Sequence, residues 1–427
     1  VGVRHSPQVL LIHPARPRER TYPLGLACLA AVATLAGASV VGLDLRLHSV
    51  AELRATLRRH AFDFVGLTAL STTIDDVAAV AAIVRKMQST AFVVVGGPHA
   101  TLAPGNALVR TRADAAVRGD GEAPFAALLA GRLDAPGIML RGSDTPPPIH
   151  VERNLDALPL PDRRVFPVGD YYRHGIHGSG VRTAVVATRG CRLACGYCSA
   201  PASSLGLFRT RPVASVVDEI RALQRDHGVD AIVFEDDNLV LDAAWCRSLF
   251  DALATGVPGM RYDLPNGVHP GLVDEPLIDL MQRAGVRSLA FGIETTSPEE
   301  RDALGRRFDP MRLAAVCRRA RDAGMVTTGY LLVGLPHQSP WSAMSQVGLL
   351  RSLPLDMLHV STFLDLPGQS LPGLRGRRAL RRWTAVRRAM YAAWYADPGR
   401  AAQVWKLAGG NAHALGRLAA RAIAWWR

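Results

Sequence analysis

Residues 183–198 read Thr183-Ala184-Val185-Val186-Ala187-Thr188-Arg189-Gly190-Cys191-Arg192-Leu193-Ala194-Cys195-Gly196-Tyr197-Cys198. The first five form a short, largely apolar run, the pattern of a strand buried on both faces. The rest is a loop with the spacing C-x3-C-x2-C. Cysteine is scarce in this chain, six in 427 residues, and one chance occurrence of that spacing has a probability on the order of 0.001. Three thiolates on one short loop can hold three irons of a [4Fe–4S] cluster and leave the fourth iron to a ligand that is not protein. A structural zinc site wants four ligands in a closed tetrahedron. No second C-x2-C follows, so His174 or His177 upstream would have to complete it. Cys28, Cys246 and Cys317 each stand alone in an apolar helical pattern and read as core residues.

Downstream of this loop, strand and helix patterns alternate. Strands are expected near Thr183–Ala187, Ala231–Glu235, Met260–Pro265, Ser288–Ile293, Val326–Leu332 and Met357–Phe363. Helices such as Pro212–Arg225 and Met311–Ala323 lie between them. Six such units fit an open, partial β/α barrel, since a closed eight-unit barrel takes about 250 residues. Chemistry in such barrels sits on the loops that follow the strands.

Upstream, a first alternating series has strands near Val9–Ile12, Val40–Leu45, Phe64–Thr68, Phe92–Val95 and Ala115–Val117. Continuous rather than alternating apolar runs indicate a parallel sheet covered by helices. This is a doubly wound, Rossmann-like layout of flavodoxin type, with its ligand expected at the carboxyl ends of the strands. Residues 143–180, broken by Pro146-Pro147-Pro148, Pro159, Pro161 and Pro167, read as a linker. The expected organisation is α/β throughout: residues 1–142, the linker, a barrel over 181–370 and a basic helical region over 371–427. The uncharged stretch from Thr21 to Leu43 satisfies the length test for a membrane span. Its proline, glycines and alanines favour a buried helix followed by a buried strand.

Apolar residues make up 48% and charged residues 20%, which fits globular domains and excludes a disordered chain. Six cysteines in this length exclude a small disulfide scaffold. No basic start leads into a short apolar core and an A-x-A site, so a cytoplasmic protein is expected. The net charge of +13 is concentrated. Eleven arginines and one lysine stand against Asp397 after residue 371.

C-x3-C-x2-C with an aromatic residue before the last cysteine, after the first strand of a partial barrel, resembles the radical S-adenosylmethionine (SAM) superfamily. The resemblance implies that Cys191, Cys195 and Cys198 hold a [4Fe–4S] cluster whose open iron is chelated by SAM. One electron then cleaves SAM to methionine and a 5′-deoxyadenosyl radical. Tyr197 would pack beside the adenine. Glu235 and Asp236, in Phe234-Glu235-Asp236-Asp237-Asn238, stand where the family contacts the SAM amino group. Asn266, after the third strand, and Glu294, in Gly292-Ile293-Glu294-Thr295, are further SAM candidates. Gly329 to Pro336 resembles the family's later glycine-containing strand.

Four strand-end loops of the first series resemble the cobalamin-binding domain that precedes many radical SAM domains. They are Pro23-Leu24-Gly25-Leu26, Thr68 to Thr73, Gly96-Gly97-Pro98-His99 and Arg118-Gly119-Asp120-Gly121-Glu122. The resemblance makes Leu24, Gly25, Ser71, Thr72, Gly96, Gly97, His99, Gly119, Gly121 and Glu122 candidates for cobalamin. The D-x-H-x-x-G motif, whose His binds cobalt in many such proteins, is absent. His13 and His48 lack its context, so cobalt without a protein His below it is expected. No G-x-G-x-x-G follows the first strand, which argues against a dehydrogenase.

The chain thus resembles cobalamin-dependent radical SAM enzymes. The expected reaction is methyl transfer from methylcobalamin to an unactivated carbon, or a phosphinate, of a small-molecule or lipid substrate. Ring formation or rearrangement is the alternative within the class, and a non-catalytic cobalamin or Fe–S regulator the alternative outside it. An electron donor such as flavodoxin or ferredoxin is implied. The basic tail, with Trp383, Trp394, Trp405, Trp425 and Trp426 interleaved, reads first as a helical cap with a solvated face. Peripheral contact with an anionic membrane is its second reading, and nucleic acid is not expected.

Overall fold

The computed structural model describes residues 6–15, 21–171 and 180–407. The chain divides into two compact units. The first comprises residues up to 171 with Val181–Ala184 and Ala200–Pro212; the second comprises Val185–Ser199 and residues 213–407.

The first unit is built on β1 (Gln8–His13), β2 (Ser39–Asp44), β3 (Phe64–Thr68), β4 (Phe92–Gly96), β5 (Ala115–Val117) and β6 (Ile138–Leu140), in the order β2-β1-β3-β4-β5-β6. The first five strands pair in parallel, and β6 adds an antiparallel edge. This is the doubly wound order expected from the buried apolar runs, with β6 as an additional edge strand. Residues 21–43 fold as the helix Leu24–Leu35 and most of β2. Twelve residues rise only about 18 Å, short of the roughly 30 Å of a bilayer core. No helix among the described residues is long and apolar enough to cross a membrane. The proline-rich stretch is ordered in its described part: Leu155, Phe166, Val168 and Tyr171 are all buried.

Gly119, at the end of β5, has φ +93°, and a Cβ there would overlap the His150 carbonyl. Gly119→Ala should lower stability by about 2 kcal/mol, from backbone strain plus displacement of residues 149–150. Urea denaturation checks this, and an unchanged midpoint would contradict it.

The second sheet uses β7 (Val181–Val185), β10 (Val229–Phe234), β11 (Arg261–Val268), β12 (Val286–Glu294), β13 (Val326–Val333) and β14 (Met357–Thr362). Two further short strands are β8 (Thr188–Arg189) and β9 (Arg209–Thr210). The large sheet runs β14-β13-β12-β11-β10-β7, and its pairs from β10 to β14 are parallel. Such a sequential parallel series is the partial barrel expected from the sequence.

An open barrel leaves an edge strand with unpaired amides. Here the helix Arg377–Tyr395 covers it. Tyr391 Oη accepts from the Val360 amide at 2.8 Å, and Tyr395 Oη accepts from the Leu358 amide at 3.4 Å. Trp383, Val386, Met390 and Trp394 are buried beneath this helix, while Arg377, Arg378, Arg381, Arg382 and Arg388 are exposed. The described part of the tail is therefore a cap with a solvated basic face. Trp383 and Trp394 belong to the core, Trp405 is exposed, and Trp425 and Trp426 lie outside the described residues. Tyr391→Phe leaves the Val360 amide without its acceptor and should cost about 1–2 kcal/mol in chemical denaturation.

Candidate active site

The cysteine loop is held from both ends. At its entrance Asp236, just past β10, accepts through Oδ1 from the Ala187 amide (3.1 Å), the Thr188 amide (2.5 Å) and the Thr188 hydroxyl (2.7 Å). Its Oδ2 is buried with no hydrogen-bond partner among the described residues. Burial outweighs the three donors and pushes the Asp236 carboxyl up to about 7. The Gly190 amide donates to Asp237 Oδ2 at 3.2 Å, and Arg192 donates to the Leu241 carbonyl at 3.0 Å.

Because Asp236 binds its proton more tightly when folded, its contribution to stability is complete below its ordinary value of 3.8. It is lost as pH rises through about 7. Asp236→Asn keeps the Oδ1 acceptor and removes the titration. Relative to this variant, the wild type should lose stability between those two values. Parallel pH profiles would contradict the account.

At its far end the loop is clamped by backbone. Gly196 donates to the Leu304 carbonyl and accepts from the Ser370 and Leu371 amides. Gln369 donates to the Tyr197 carbonyl at 2.7 Å. Tyr197 packs with Leu304, Leu332, Leu335, Phe363 and Leu371, and its hydroxyl donates to Glu294 Oε1 at 2.9 Å. Glu294 ends β12 at φ +65°, a left-handed backbone that costs a non-glycine residue about 1–3 kcal/mol. Burial raises the Glu294 carboxyl, opposed by Arg306 and by the Tyr197 hydroxyl.

Arg306 completes the network, and its guanidinium is buried. Nε and Nη2 donate to the Gly292 carbonyl at 2.9 and 2.7 Å, Nη1 donates to Cys195 Sγ at 3.6 Å, and Nη2 lies 3.9 Å from Glu294. Nothing in the residue pattern singles Arg306 out: its neighbour Arg307 is the same residue type with an 84% exposed side chain. Burial disfavours its charge, but Tyr197, Glu294 and Cys195 more than offset that and raise Arg306 further.

Cys191 and Cys195 are buried and Cys198 half-buried; burial pushes the Cys191 thiol up. Among the described residues no three Cys, His, Asp or Glu side chains are already gathered into a metal-binding group. The fit to a cluster lies in the donor set: three thiols on one clamped loop, with a buried guanidinium on the middle sulfur that suits a thiolate. His174 and His177, the zinc alternative, lie outside the described residues. Cys28, Cys246 and Cys317 are buried in helices.

Asn266 stands out from β11, where the register shifts between Leu264 and Val268. It is exposed and donates to Glu235 Oε2 at 3.4 Å and to the Asp236 carbonyl at 3.2 Å. Glu235 and Asn266 are thus neighbours at adjacent strand ends, near the Asp236 that anchors the loop.

In the first unit, Leu24 and Gly25 open the first helix, and space is open around the Cα atoms of Gly25 and Gly96. Gly97, at φ +91°, passes so close to Thr68 and Ala69 that a Cβ would lie 2.9 Å from their oxygens. Glu122 is buried in the first turn of the helix Glu122–Leu129, after Gly119 and Gly121. His99 is buried with both ring nitrogens engaged: Nδ1 is 2.9 Å from Ser71 Oγ and Nε2 is 3.0 Å from Asn106 Oδ1. It braces the loop, leaving half-buried Ser71 and exposed Thr72 as the hydroxyls at that strand end. His13 bonds the Pro14 carbonyl and His48 the Asp44 carbonyl. These open glycines and hydroxyls at parallel strand ends suit a large, flat ligand.

Comparison with known proteins agrees with this layout. The B12 binding domain family matches residues 15–129, and the Radical SAM superfamily matches residues 185–344. An uncharacterized methyltransferase of Pyrococcus horikoshii is 27% identical, covering 82% of this chain and 77% of its own. Cytidylyl-2-hydroxyethylphosphonate methyltransferase of Streptomyces wedmorensis is 25% identical over 78% and 74%. The anaerobic magnesium-protoporphyrin IX monomethyl ester cyclase of Rubrivivax gelatinosus is 24% identical over 85% and 69%. The radical SAM methyltransferase TsrM of Kitasatospora setae, solved with tryptophan and a SAM analogue, shares the fold. Its TM-score is 0.72 at 20% identity, over 86% of this chain and 75% of that one.

The chain is a radical SAM enzyme. Within that superfamily it belongs to the cobalamin-dependent branch, in which a B12 binding domain precedes the radical SAM domain.

Proposed function

We propose that this enzyme methylates an unactivated carbon, or a phosphinate-type centre, of a small-molecule substrate. The observation that carries the reading is the Cys195–Arg306–Glu294–Tyr197 network, in a chain that also has a B12 binding domain. When bound, the [4Fe–4S] cluster and SAM supply a 5′-deoxyadenosyl radical for hydrogen abstraction, and methylcobalamin supplies the methyl group.

In this reading Cys191, Cys195 and Cys198 hold the cluster. Arg306 balances the thiolate charge and offers a cation to the SAM carboxylate. Glu235 and Asn266 receive the SAM amino group, and Glu294 and Tyr197 hold its nucleoside. Asp236 acts chiefly through Oδ1 as the anchor of the loop, with only Oδ2 uncommitted. Leu24, Gly25, Ser71, Thr72, Gly96, Gly97, Gly119, Gly121 and Glu122 form the cobalamin surface, and His99 supports it through Ser71. Flavodoxin or ferredoxin is the kind of electron donor the chemistry requires.

The similarity to a cyclase supports a second reading, ring formation without methyl transfer. Anaerobic turnover with SAM, reductant and candidate substrates separates the two. A product heavier by one methylene supports the methyltransferase. A product lighter by two hydrogens supports the cyclase. No 5′-deoxyadenosine at all would indicate a non-catalytic protein.

A further inference from the structure

Arg387 lies on the helix Arg377–Tyr395, one turn before the Tyr391 that caps β14. It is only half-buried, but its Nε is fully buried. Among the described residues Nε has no hydrogen-bond partner and no carboxylate pairs with the guanidinium. Burial holds Arg387 below the ordinary arginine value. A partly desolvated cation with no counter-charge is costly unless something completes it.

The Leu358 and Val360 amides bond Tyr395 and Tyr391, so the preceding turn, which carries Arg387, lies toward the carboxyl end of β14, and its charge acts on His359. Leu358 and Val360 are buried on one face of β14, so the alternating residues His359 and Ser361 lie on the other. His359 Nε2 is 3.0 Å from Ser361 Oγ, and its ring centroid is 5.0 Å from that of Tyr330. Burial and then the Arg387 charge push His359 down to about 4, so its imidazole is neutral at physiological pH.

Register ties this patch to the cysteine loop. Gly292, Tyr330 and His359 are side by side on β12, β13 and β14. Neighbouring strands are about 4.8 Å apart, which puts His359 about 10 Å from Gly292, whose carbonyl holds Arg306. Leu332, on the same face of β13 as Tyr330, packs with Tyr197.

We propose that Arg387, His359 and Ser361 form the subsite that holds an anionic group, a carboxylate or a phosphonate, of the substrate. The guanidinium supplies charge and two-point recognition, while His359 and Ser361 supply neutral donors. The purpose of the subsite, setting a substrate carbon near the SAM centre, rests on the function proposed above.

The test uses the full-length, cofactor-loaded protein and two probes, methylphosphonate and acetate, with binding followed by NMR titration. The wild type should bind at least one probe. Arg387→Gln should weaken that binding at least about tenfold, the loss of one charge-assisted contact, and Arg387→Lys should weaken it less. The exposed Arg378→Gln should bind as the wild type does, and thermal melting confirms that each variant folds. Methylphosphonate alone binding assigns a phosphonate, and acetate alone a carboxylate. Binding of neither probe to the wild type, or equal binding to Arg387→Gln, overturns the subsite. Wild-type 5′-deoxyadenosine formation is measured on the same samples. If SAM is not cleaved but anion binding depends on Arg387, the proposed function fails and the subsite stands.

Discussion

Cys195→Ala is expected to reduce 5′-deoxyadenosine formation to that of a protein-free blank while the chain stays folded. Cys195 is the middle cysteine of the loop and receives the Arg306 guanidinium at 3.6 Å. Removing its thiol leaves two donors on the loop, too few to hold three irons and present the fourth to SAM. The fold should tolerate the change, because the loop is fixed elsewhere: by Asp236 at Ala187 and Thr188, and by Gly196 to Leu304, Ser370 and Leu371. Iron content after anaerobic reconstitution and liquid chromatography of the SAM products are the two measurements. A variant that still forms 5′-deoxyadenosine at the wild-type rate would remove Cys195 from the cluster.

Arg306→Met is expected to act differently, on stability and on chemistry together. Met fills part of the volume but withdraws two charged donors from the Gly292 carbonyl and the cation from Glu294 and Cys195. Lost charge-assisted bonds and an uncompensated buried network together cost about 3 kcal/mol. A residue that supports ligands from behind commonly changes metal affinity or activity by about 10- to 100-fold. The 5′-deoxyadenosine rate should therefore fall within that range with SAM in excess, and Arg306→Lys, which keeps the charge, should recover part of it. Loss of stability without any change in SAM cleavage or SAM affinity would make Arg306 a purely structural residue.

Much of this architecture is legible in the sequence because its signals are repetitive. Five continuous apolar runs give the first parallel sheet, and six βα units give the open barrel. The cysteine spacing is legible because three rare residues coincide on one loop. Arg306 and Arg387 are not legible, since each sits among other arginines. What distinguishes them is burial, which depends on the strands and helices folded around them. The same holds for His99: sequence places it after a glycine pair at a strand end, but only the fold brings Ser71 and Asn106 to its two ring nitrogens. Asp236 was legible as an acid at a strand end. Its use as the anchor of the cysteine loop was not, because its partners lie about fifty residues earlier in the chain.

The tail shows a comparable limit. Its arginines and tryptophans follow the pattern of a membrane-surface helix as readily as that of a cap. Packing decides for the described part: Trp383 and Trp394 are buried, and Tyr391 and Tyr395 close the edge of β14.

Whether one chain carries both cofactor systems is read from its metal and corrinoid content after anaerobic expression with cobalamin supplied. About four irons and about one cobalamin per chain are expected, with the iron lost and the cobalamin kept in Cys195→Ala. Four irons without cobalamin would contradict the methylcobalamin step and make the first unit a binding domain for something else. Cobalamin without iron would contradict the radical chemistry itself.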